Sequence, residues 1–151
     1  AKTLMLQGVN RTAKLHAHAE HHRIDAAVSI IDDGSGISAA ACLPMVGRSA
    51  SLSLNNTKSA IMLPWSATSE DLAILSASNI SFAISHPPDS DVEGWLNRLS
   101  SGLSAHLNRL GLASIDQMTR SNLRACDQDT AAVSGLRLAG YDRPMPHWFA
   151  R

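Results

Sequence analysis

Up to about residue 91 the apolar positions come in short runs broken by Gly, Pro, Asn or Asp, and from Val92 onward they recur every third or fourth residue. The short runs predict strands. "TLMLQ" (3–7) stops at Gly8, and "AAVSII" (26–31) turns β-branched before it stops at Asp-Asp-Gly. "SLSL" and "SAIML", joined by "NNTK", predict a hairpin, since Asn-Asn tolerates positive φ. Pro64 ends the second arm, and "SATSEDLAILSAS" predicts a helix over about 68–78 with Ser or Thr caps and Glu70 and Asp71 in its first turn. "NISFAIS" predicts another strand, and "HPPDSD" a stiff loop whose Asp89 or Asp91 caps the next helix. Between the first two strands, Asn10 is placed to cap a helix through "RTAKLHAHAEHHRI".

The strongest periodic element is "DVEGWLNRLSSGLSAHLNRLG". Its Val92, Trp95, Leu96, Leu99, Leu103, Leu107 and Leu110 form one stripe that closes at Gly111. A helical turn and a second helix come after it, capped by Thr119 or Ser121 and stopped by Gly135. The tail "DRPMPHWFAR" sets Trp148 beside Phe149, and paired large aromatics at a chain end predict a partner interface. The pattern as a whole predicts a single α/β domain over 1–151. A small sheet of about four to six strands with flanking helices occupies 1–91, and a helical C-terminal third with an aromatic tail occupies 92–151.

Composition narrows the functions. A length of 151 residues with 44% hydrophobic content suits one domain with a core, and 13 basic against 13 acidic residues leave no net field for a polyanion, so nucleic acid is not an expected partner. Low charge, at 17%, with few aromatics points instead to surface covered by a protein partner or a second copy. No apolar run approaches the roughly 18 residues of a membrane span, no leader is recognisable at the start, and Cys42 and Cys126 have neither disulfide-framework nor zinc spacing, so a cytoplasmic protein with two reduced, partly buried thiols is expected.

Candidate chemistry is sparse. "SIIDDGSGIS" resembles the D-x-G-x-G-I box of the ATP-binding fold of histidine kinases, gyrases and mismatch-repair proteins through Asp33, Gly34, Ser35, Gly36 and Ile37. The preceding helix with an acid and an Asn, and the later Gly-rich lid, are missing, so the stretch reads as a strand ending in a tight turn. Asp32 and Asp33 remain the best polar pair, and with His86 just past a predicted strand they form the candidate ligand-binding set. His16, His18, His21 and His22 crowd one segment without the further ligands of a metal site, so no metal is expected. No G-x-S-x-G elbow or phosphate loop occurs, and no catalytic residue is identified.

One stretch carries a family likeness. Leu110, Gly111, Ser114, Ile115, Met118, Arg120, Leu123, Ala125, Asp127, Ala131, Gly135, Leu138, Ala139 and Gly140, within about 92–141, resemble the helical C-terminal region of FMN-dependent glutamate-synthase-like proteins, with Asn122 in place of the usual acid. The strand–helix units and phosphate-binding glycine strand of that family's flavin barrel are not recognisable upstream. The resemblance therefore implies a shortened relative or a non-catalytic structural or regulatory subunit, with no cofactor in this chain and FMN in a partner. It transfers no functional residue, because the matched segment is packing. The alternative expectation is a small α/β ligand-binding domain or enzyme acting on a small anion or nucleotide at Asp32, Asp33 and His86.

Overall fold

The computed structural model describes residues 3–7, 26–30, 43–44, 58–88 and 90–141. Four strands, β1 (Thr3–Gln7), β2 (Ala26–Ile30), β3 (Lys58–Met62) and β4 (Phe82–Ile84), pair in the order β1-β2-β3-β4. Every pairing is parallel. The expected combination of a sheet with helices is therefore present. The predicted hairpin is corrected, because β3 has parallel neighbours on both edges, β2 on one and β4 on the other, which leaves no edge for an antiparallel arm. Its other proposed arm, "SLSL", lies outside the described residues, as does the histidine-rich segment.

Helix α1 (Ser69–Ala77) crosses from β3 to β4. Thr68 and Asp71 close a reciprocal capping box at its start. At its end the Ile80 N–H reaches the Leu75 carbonyl (3.0 Å) and the Asn79 N–H that of Ser76 (3.0 Å), so Asn79 takes the left-handed conformation, φ 60°, that this ending requires. Helix α2 (Val92–Leu110) starts where the Asp91 carboxylate accepts from the Gly94 N–H at 2.9 Å. It stops at Gly111 with the same bond pattern, Leu112 N–H to Leu107 O at 2.9 Å, and φ 67°.

Ile61 and Leu63 turn one face of β3 onto Leu75 and Ile80, with buried Leu43 completing the cluster and Trp65 and Trp95 packed at its margin. Ala73 and Ala77 of α1 meet Met118, against which Leu103 and Leu107 of α2 pack. The α2 stripe is thus only half used: no residue of the helix is buried, and Val92, Leu96 and Leu110 stay exposed.

Beyond Gly111 the chain tightens into two 3-10 turns, Ile115–Gln117 and Arg120–Asn122, and then α3 (Gln128–Ser134). The predicted cap at Thr119 or Ser121 moves to Asp127, whose carboxylate accepts from the Thr130 N–H at 2.7 Å. Asn122 Oδ1 accepts from the Thr119 N–H instead, which closes a short turn there. A parallel bridge between Ala125 and Leu138 seals a small cluster of Ala125, Ala131, Leu136 and Leu138. Cys126 beside it is an exposed free thiol, not a partly buried one, because only its neighbour Ala125 turns into the cluster. Cys42 lies outside the described residues.

Candidate functional site

In a parallel sheet the loops that leave the strand ends share one edge, and ligand groups collect there. The register Ile30↔Met62↔Ile84 sets the ends of β2, β3 and β4 level at that carboxyl edge. His86 lies two residues past β4 and is exposed. Asp32 and Asp33 come just after the end of β2 in sequence but lie outside the described residues, so the structure does not bring the candidate set together. With β3 between them, the lines of β2 and β4 are about 10 Å apart.

The described part of this edge is built from two loops tied by side chains. Ser85 is the knot. Its hydroxyl accepts from the Ala67 N–H at 2.8 Å and donates to the Trp65 carbonyl at 2.9 Å. The Trp65 indole donates to Asp71 at 3.0 Å, the carboxylate that also receives the Thr68 N–H at 3.0 Å. The Trp95 indole, from α2, donates to the Ala67 carbonyl at 3.1 Å. Tryptophan packing and its single N–H are thereby used together, which fixes the β3–α1 loop against α2. These donors and acceptors satisfy one another and tie the two described loops together, and beyond Ser85 His86 is exposed and Pro87 half-buried.

Electrostatics agree with that reading. Hydrogen bonds from its own backbone N–H and from Ser69, with the nearby His106, hold the Glu70 carboxyl below its ordinary value. The His106 ring nitrogen stands 3.5 Å from that carboxylate and ties α2 to the first turn of α1. Among the described residues no group of His, Cys, Asp and Glu is arranged to hold a metal ion, and no helix is long and apolar enough to cross a membrane.

Sequence reasoning missed Ser85 and the structural role of Arg120. The Arg120 guanidinium donates to the Pro44 carbonyl at 2.6 Å and to the Ser134 carbonyl at 2.8 Å, joining three separate stretches. A 76-residue separation carries no local signal that could have shown it. Trp148 and Phe149 lie outside the described residues. Comparison with protein families, curated proteins and solved structures finds no match to this chain.

Proposed function

We propose that the chain is a non-catalytic structural or regulatory subunit of a larger, flavin-dependent redox or amidotransfer assembly of glutamate-synthase-like character, cytoplasmic, with FMN held by its partner. The observation that carries this reading is the apolar surface left on the last strand and the long helix. By register, Phe82 and Ile84 stand across from Ala60 and Met62, on the face opposite the one that Ile61 and Leu63 turn to α1. Ile84 is 44% exposed, and Leu96 of α2 is 53% exposed. Apolar side chains left so open on regular elements fit a surface that a partner covers. Strands in simple sequence order also match the winding of a β/α barrel, which supports a parallel sheet of about four to six strands related to the resembled family. In this reading Trp148 and Phe149, by their sequence, are further candidates for contact with the partner.

The test is purification of the full chain from its native source with light scattering and a visible spectrum. A defined-stoichiometry complex carrying the yellow flavin band is expected. A colourless monomer overturns the proposal.

The level ends of β2 and β4 support a second reading, a site for a small anion or nucleotide at Asp32, Asp33 and His86. It requires saturable binding of ATP or inorganic phosphate that Asp33→Asn and His86→Ala weaken. Binding that ignores both substitutions removes it.

A further inference from the structure

We draw no further inference here: the strongest candidate, the open, largely apolar groove bordered by the last turn of α1, the start of β4 and the two 3-10 turns, carries nothing because nothing in the structure shows what covers it.

Discussion

Ser85 shows how much one short side chain holds. Its hydroxyl accepts from Ala67 and donates to Trp65, so Ser85→Ala leaves a buried N–H and a part-buried carbonyl without partners. Orphaned groups of this kind cost about 1–3 kcal/mol, and chemical denaturation should show a loss of that order, with Trp65 fluorescence reporting the loosened loop. Titration of single carboxylates gives a second prediction. The Thr130 backbone N–H, then its hydroxyl, hold the exposed Asp127 carboxyl below its ordinary value of 3.8. A depressed folded value means that the stabilisation is complete above 3.8 and is lost as pH falls through the lower folded value. Thr130→Val removes the hydroxyl but keeps the N–H, so the Asp127 carboxyl should titrate closer to 3.8 in carbon-detected NMR, without reaching it. An unchanged titration would mean that the backbone contacts with Thr130 and Asp129 suffice without the hydroxyl.

Elements formed where their signals were local. The cap at Thr68 with Asp71, the Asp91 start and the Gly111 stop of α2 are each contained within a few residues, and the sequence displays them directly. What could not be read depends on distant partners: the parallel neighbours on both edges of β3, the reach of Arg120 to Pro44, and the contact that leaves Val92 and Leu96 open while Trp95 packs inward. Thr119 misled for a physical reason, because a hydroxyl residue caps a 3-10 turn as readily as an α-helix, and Asn122 three residues on completed the shorter motif. Of the candidate site, only His86 was placed, and only as an exposed loop residue.

The packing of α1 on α2 gives the element-scale prediction. A Cβ at Gly102 would collide with the Ser69 side chain at the start of α1. Gly102→Ala gains up to about 1 kcal/mol of helix propensity, but a clash in a packed contact costs about 1–3 kcal/mol. Net destabilisation is expected in thermal unfolding, with His106 moved off Glu70. The paired change Gly102→Ala with Ser69→Gly should recover most of it, since the second substitution reopens the space.

At the scale of the whole molecule, strand order decides which surfaces matter. The described strands run β1-β2-β3-β4 without a reversal of order, so among the described residues there is no switch-point crevice of the kind where doubly wound sheets take ligands. Among the described residues, open apolar side chains lie on β4 and on α2, where Ile84 and Leu96 are 44% and 53% exposed. Stability and assembly can be separated there. Substitutions at exposed positions away from special features change stability by less than about 0.5 kcal/mol, whereas an ionised carboxylate covered by a partner with nothing to pair it is costly. Leu96→Glu combined with Ile84→Thr, which keeps a β-branched residue in the strand, should leave the unfolding midpoint nearly unchanged. If the chain is the subunit proposed above, the same double variant should not form the complex in light scattering. If the variant keeps a complex of native stoichiometry, neither of these positions is at the interface. If it unfolds at markedly lower temperature, the two side chains serve the fold of the chain itself and the subunit reading loses its main support.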